Sequence, residues 1–257
     1  MLGVEVTVPG EPNDDMWEAV LYDWHNEHRL RRQRADIPYW LVTTTRATCL
    51  LVLGAGTGRV ATALARSGQR HVTAVDASAA RLRRLPRSSA LTAVCGDLRS
   101  LPLSGGFDTA VVPYSTFQLL RSLADRRAAL SEAARVLAPN GMLHIDVSSS
   151  FDSRTAVDWH LALAAHCEPA GVTVEEWERR LVETDHLVID KSFRVGDCVL
   201  VALRERWTHL KSLDLPTELE RAGFAVTGID RGYGHGSAPH RLIYHGRRTP
   251  PSRGDLG

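Results

Sequence analysis

LLVLGAGTGR, residues 50 to 59, decides the fold. An apolar run leads straight into Gly54, Gly56 and Gly58 and then into a helical pattern. Glycines let the backbone take positive φ and approach a ligand closely, and the helix that follows opens on free N–H groups. A dinucleotide loop of the GxGxxG type needs its third glycine at position 59, which here is Arg59. The GxGxG spacing suits instead a ligand without a pyrophosphate, whose amino-acid portion and ribose pass close to the loop. A tight strand-to-helix turn with no ligand is the bland alternative.

Outward from the loop, short apolar runs alternate with helical patterns: CLLVL (49–53), HVTAV (71–75), LTAVC (91–95), FDTAVVP (107–113) and MLHIDV (142–147). Helices are expected near 58–67, 78–85 and 123–137, the last stopped by Ala138-Pro139-Asn140-Gly141. This rhythm predicts βαβ units, an α/β doubly wound Rossmann-like sheet covered on both faces. The alternation breaks after Phe151. Residues 153–181 read as helical, with Thr173 and Glu176 spaced as a capping box. Then 181–193 and 198–210 read as an antiparallel hairpin around a turn at 194–197. The ending resumes the series: a helix with a cap at Asp214, Pro216 in its first turn and Gly223 as its stop, then strands at 224–229 and 241–246. At the other end, residues 1–13 read as a loose arm, followed by a helix from Asp14 to about Arg34.

The expected organisation is therefore an arm and cap helices (1–48), a cofactor-binding core (49–150), a lid or substrate insertion containing the hairpin (151–212), and a C-terminal completion of a seven-stranded sheet whose last strand is antiparallel (213–257). For 257 residues this is one large domain with an insertion.

Composition excludes several classes. Apolar residues at 44% and charged residues at 24% are globular values. The 31 basic residues, of which only Lys191 and Lys211 are lysine, nearly cancel 30 acidic ones, leaving a net charge of +1 with no field to gather nucleic acid or anionic membrane. Cys49, Cys95, Cys167 and Cys198 lack the short paired spacing of a zinc or redox site, so reduced, mostly buried thiols and no metal are expected. No basic, apolar leader and no apolar run of about 18 residues is present; a cytoplasmic protein is expected.

Two acids follow the loop at strand ends. Asp76 closes the second strand, where a carboxylate can accept two charge-assisted hydrogen bonds from a ribose diol; capping the next helix is the alternative. Asp97 closes the third strand, where it can accept from the exocyclic amine of adenine while Leu98 offers apolar surface and a backbone N–H. A turn-forming Gly-Asp pair is the alternative there.

GAGTG, the acid ending strand two, the GD after strand three and LAPNG before strand five together resemble the class I S-adenosylmethionine-dependent methyltransferases, over about 22–248. YDWHNEH, DIPYW, PYSTFQLL and RGYGHGSAPHRLIYHGRR are similar to bacterial small-molecule methyltransferases, including those of secondary metabolism. The resemblance implies S-adenosylmethionine as cofactor. It places Gly54, Ala55, Gly56 and Gly58 around the methionine portion, Asp76 and Ala77 at the ribose, and Asp97 and Leu98 at adenine. Pro113, Tyr114, Ser115 and Phe117 would lie beside the sulfonium, with Tyr22 and Trp24 closing over the cofactor; core packing is the alternative for these aromatics. The chain departs from the family at Val52, where an acid two before the first glycine is common, and at Asn140-Gly141, where GG is common. The methionine ammonium is thereby left to carbonyls near Gly54 or to a residue elsewhere.

Methyl transfer is an in-line displacement for which alignment alone can contribute ~7 to 11 kcal/mol, so a base is optional. Candidates to take a proton from an amine or hydroxyl acceptor are His25, Asp146 and His235. VVPY after strand four lacks the polar residue and first proline of the [DN]PPY motif of adenine- and glutamine-directed enzymes, and no basic face accompanies it. A small-molecule acceptor, O- or N-methylated, is the expectation, with a homodimer through the hairpin possible. The competing readings are a cofactor-binding protein of the same fold that does no methyl transfer, such as a cyclase, and an NAD-dependent oxidoreductase.

Overall fold

The computed structural model describes residues 4–7, 14–30, 35–68, 70–234 and 237–250. The chain begins with β1 (Val4–Thr7), α1 (Asp14–Leu30) and α2 (Asp36–Thr43). The core series follows: β2 (Cys49–Leu53), α3 (Arg59–Arg66), β3 (His71–Asp76), α4 (Ala79–Leu82), β4 (Leu91–Cys95), β5 (Phe107–Val112), α5 (Leu123–Val136) and β6 (Leu137–Ser148). The insertion contributes β7 (Val157–Cys167), β8 (Val172–Val182), β9 (His186–Val195) and β10 (Cys198–Thr208). The chain closes with α6 (Leu215–Arg221), β11 (Phe224–Arg231) and β12 (Arg241–Arg248).

The main sheet has seven strands in the order β11-β12-β6-β5-β2-β3-β4. β2 to β6 are parallel where they pair, and β12 runs antiparallel to both its neighbours. Successive residues of β2 enter different cores. Leu51 and Leu53 pack with Leu130, Ala133 and Leu219 of α5 and α6, whereas Leu50 and Val52 pack with Trp40, Val60 and Leu64 of α2 and α3. Burial on both faces is why the strand is apolar throughout.

The first helices correct the sequence reading at two points. The segment 4–7 of the expected arm is a strand paired with β10, and DIPYW opens a second helix, α2, with Pro38 in its first turn, where a missing N–H costs nothing. The expected helix end near Arg34 lies outside the described residues; α1 ends at Leu30.

The larger correction is in the insertion. Residues 157–167 and 172–182, expected to be helical, are strands, and Thr173 and Glu176 sit in the β8 ladder rather than in a capping box. With the hairpin β9–β10, which forms as expected, they make a five-stranded antiparallel sheet ordered β1-β10-β9-β8-β7. The β8 residues that face inward are Val174, Glu176 and Glu178. Two of the three are charged, so the apolar alternation that identifies a strand is missing.

α1 joins the two sheets. Val20, Leu21 and Trp24 pack on Val174, Phe193, Val201 and Leu203 of the insertion, while Glu18 of the same helix is ion-paired to Arg81 of α4. Where the chain leaves the core and returns to it, the fully buried Gln118 holds both ends: its amide donates to the carbonyls of Ser148 (3.1 Å) and Thr208 (2.9 Å) and accepts from Ser148 N–H (2.7 Å). All four cysteines are free thiols, but only Cys167 is buried; Cys95 and Cys198 are exposed, contrary to the expected burial. Among the described residues no helix is long and apolar enough to cross a membrane.

Candidate active site

Three neighbouring strands, β2, β3 and β4, bring the glycine loop, Asp76 and Asp97 side by side at their carboxyl ends. At a strand spacing of ~4.8 Å, the set spans ~10 Å, so a ligand laid across the three strand ends meets the glycine loop, Asp76 and Asp97 in turn. Gly54 and Gly56 have φ of +71° and +57°. A Cβ on Gly54 would overlap the Thr116 side chain, and one on Gly56 would lie 2.9 Å from Tyr22 Oη. Neither glycine position thus has room for a side chain, and Tyr22 lies directly on Gly56. Asp76 is buried; its carboxylate accepts from Gly56 N–H (2.7 Å) and Ser78 N–H (2.9 Å). The alternative role of helix cap belongs to Ser78, which accepts from Arg81 N–H. Ala77 is exposed beside it.

Asp97 is half-buried and accepts from the Arg99 guanidinium (2.6 and 3.0 Å), which also reaches Asp125 (2.7 Å). These hydrogen bonds hold the Asp97 carboxyl below its ordinary range. Leu98 is buried in the core, so its side chain offers no free surface to a ring; its backbone is what remains at that end. Phe117 likewise packs into the core.

At the end of β5, Pro113 is buried and the next two residues, Tyr114 and Ser115, have φ of +53° and +64°. A left-handed non-glycine residue costs about 1 to 3 kcal/mol and persists only when its surroundings impose it. The imposing group is Asp146, fully buried on β6. Its carboxylate accepts from Tyr114 N–H (2.8 Å), Tyr233 O–H (2.7 Å) and the Arg241 guanidinium (3.2 Å). Arg241 also donates to Ser115 Oγ (2.7 Å) and lies 4.3 Å from the centre of the Tyr114 ring. Burial pushes the Asp146 carboxyl up, against the opposing pull of Arg241 and Tyr233. Both oxygens of Asp146 are engaged in holding this turn, Oδ2 by Tyr114 and Tyr233 and Oδ1 by Arg241.

The α1 candidates separate. Tyr22 covers the loop beneath the Arg81 guanidinium, 4.0 Å from its ring centre, and burial raises its hydroxyl pKa. Trp24 faces the other way, its indole N–H donating to His166 carbonyl (3.0 Å) and its ring against Phe193. It takes the core-packing alternative. His25, one turn past Tyr22, meets the inward face of the insertion, where its Nδ1 lies 2.7 Å from the fully buried carboxylate of Glu176. Lys191 and Glu205, ion-paired at 3.0 Å, line the same face with Glu178 and Arg180. Burial, then Lys191, lower the His25 pKa; the Glu176 carboxylate partly offsets them. His235 lies outside the described residues.

A methyltransferase-domain family model matches residues 50–141. The cypemycin N-terminal methyltransferase of a Streptomyces species is 31% identical over 192 residues, covering 72% of this chain and 75% of that one. The chain belongs to the S-adenosylmethionine-dependent methyltransferases. Solved methyltransferases share the fold at lower identity. A sugar N-methyltransferase from Streptoalloteichus superposes with a TM-score of 0.73 at 22% identity, covering 95% of this chain and 97% of that one. An amino pentose methyltransferase from Micromonospora echinaspora, solved with S-adenosylmethionine bound, has a TM-score of 0.66 at 21% identity, covering 89% and 97%.

S-adenosylmethionine is therefore the cofactor of this methyltransferase, and the compressed loop beside the buried Asp76 fits it: a close-approach backbone for the amino acid next to a carboxylate for a diol. Two ion pairs bordering the methyltransferase site escaped the sequence reading. Arg59 takes Asp36 of α2 in a forked pair (2.8 and 2.6 Å), and Arg81 pairs with Glu18. The available signal for the first was the arginine standing where a third glycine was sought; nothing in the spacing pointed to its partner 23 residues earlier.

Proposed function

We propose that the protein methylates the amine of a small polar molecule, in bacterial secondary metabolism, by in-line transfer from S-adenosylmethionine. Gly54, Ala55, Gly56 and Gly58 cradle the methionine portion, Asp76 and Ala77 border the ribose, Asp97 and the backbone at Leu98 receive adenine, and Pro113 and Tyr114 border the sulfonium. The insertion, residues 151–212, roofs the acceptor. The observation that carries the amine reading is its inward face: Glu176, Glu178 and Glu205 gather there opposite α1, and while Arg180 and Lys191 pair with Glu178 and Glu205, the fully buried Glu176 keeps one oxygen, Oε1, without a hydrogen bond among the described residues. A buried carboxylate oxygen left without a hydrogen bond is costly, and a cationic, hydrogen-bonding acceptor is a ligand that offsets that cost. Named functions among the relatives, a peptide N-terminus, a sugar nitrogen and an amino pentose, support the same chemistry.

His25 is the residue we assign to proton removal. With Nδ1–H directed to Glu176, Nε2 has no partner among the described residues and presents a lone pair. The acceptor ammonium gives it one proton; the freed nitrogen lone pair then forms the N–CH3 bond as the C–S pair returns to sulfur. The imidazolium proton passes to water after release.

The test is mass-spectrometric detection of a methylated product and S-adenosylhomocysteine from a panel of nucleotide-linked amino sugars and peptides with free N-termini, against hydroxyl-only counterparts. Methylation of amines alone is expected, with His25→Gln lowering kcat/KM most on the acid side, where less acceptor is already deprotonated. Turnover confined to hydroxyl acceptors would overturn the amine reading, and an unchanged pH profile in His25→Gln would overturn the base.

A further inference from the structure

The cofactor carries an α-carboxylate as well as an ammonium at its amino-acid end, and a cation at the mouth of the glycine loop would complement that carboxylate. Val52, at the family's frequent acidic position, is fully buried between α2 and α3 and offers neither charge nor access. Arg59, the first residue of α3 directly after Gly58, has the missing sign in the required place. Its guanidinium has five N–H donors. Two are taken by Asp36, which is 1% exposed, through Nη1 to Oδ1 at 2.8 Å and Nη2 to Oδ2 at 2.6 Å. The remaining edge is open, the side chain being 29% exposed, and the group lies 5.7 Å from the centre of the Tyr114 ring at the end of β5. Its electrostatic neighbours are Asp36, Tyr114 and Tyr22, the residue that rests on Gly56.

We infer that Arg59 binds the carboxylate of the cofactor's amino-acid end, and that Asp36 is a positioning residue that aims the guanidinium at it. A pair serving only to tie α2 to α3 would be a poor use of these residues. A buried ion pair is commonly no better for stability than an apolar pair of the same volume, and a cation at a helix N-terminus opposes the helix dipole. Both costs are offset when an anion reaches the open edge of Arg59. The ammonium then falls to the carbonyls of the loop, so no acid at position 52 is required. The protein should consequently discriminate against adenosyl ligands that lack a carboxylate.

Calorimetric titration with S-adenosylhomocysteine, its decarboxylated analogue and 5′-methylthioadenosine tests this without any acceptor. The wild-type protein should prefer S-adenosylhomocysteine to the decarboxylated analogue by roughly 10- to 100-fold, the effect of a lost charge-assisted hydrogen bond. Arg59→Gln should abolish that preference and leave 5′-methylthioadenosine binding unchanged. Arg59→Lys should retain part of it, as a point charge without the fork, and Asp36→Asn should reduce it. A wild-type protein indifferent to the carboxylate would overturn the inference. So would an Arg59→Gln variant that keeps the preference, or one that weakens all three ligands equally, which marks a structural role. Should Arg59→Gln fail to fold, the wild-type ratio and Arg59→Lys decide the matter by the same criteria.

Discussion

Replacing Asp146 by alanine should lower stability far more than an ordinary strand-end substitution. The carboxylate is fully buried and accepts from Tyr114 N–H, Tyr233 O–H and Arg241. In Asp146→Ala, Arg241, itself only 6% exposed, keeps the Ser115 hydroxyl as acceptor but loses its counter-charge. Removing one partner of a buried ion pair costs about 3 to 5 kcal/mol. For a chain of this size each kcal/mol moves Tm by about 2 to 4 °C, so the drop should be roughly 6 to 20 °C in a calorimetric or circular-dichroism melt without ligand. The double variant Asp146→Ala with Arg241→Met removes the orphaned charge and should recover much of the loss. The turn at Tyr114 and Ser115 should also relax, weakening S-adenosylhomocysteine binding in the single variant. A single variant melting within about 2 °C of the wild type would refute the assignment of Asp146 as the group that imposes the strained turn.

Asp76→Ala should weaken S-adenosylhomocysteine tenfold or more in calorimetry, a loss of at least ~1.4 kcal/mol from charge-assisted bonds to the ribose; unchanged affinity would refute the ribose assignment. Asp190, bridged to Arg204 (2.6 Å) and Arg179 on the outward face of the insertion, is held below its ordinary value near 3.8, chiefly by the Arg204 hydrogen bond. A depressed carboxyl stabilises the fold above its unfolded value and loses that contribution as pH falls through the folded one. Melts should therefore show Asp190→Asn less stable than wild type at pH 7, with the gap closing below about pH 4. A gap independent of pH would exclude the ion-pair origin.

The core of this fold was legible because its strands are buried on both faces. β2 and β4 begin and end where their apolar runs do, and α6 has its cap, Pro216 and Gly223 where the composition put them. The insertion was not legible, for the reason that makes it useful. β8 reads TVEEWERRLV over 173–182, rich in helix-favouring Glu and Arg, with Val174, Trp177 and Leu181 at helical spacing. Ladder pairing with β7 and β9 overrides those local preferences, and the inward face it selects carries Glu176 and Glu178. The site was legible in proportion to how much of it is backbone: the glycine loop and the strand-end acids follow from spacing, whereas Asp36 with Arg59, and Glu176 with His25, meet only through packing across 23 and 151 residues.

Gln118 has a meaning for how such enzymes diversify. By holding the carbonyls of Ser148 and Thr208 with one buried amide, it makes the exit and re-entry points of the insertion part of the core's own hydrogen-bond inventory. The sequence between those two residues can then change with both of its ends still held, as long as the face that packs on α1 is kept. They are natural splice junctions for recombining one acceptor roof with another methyl-transferring base.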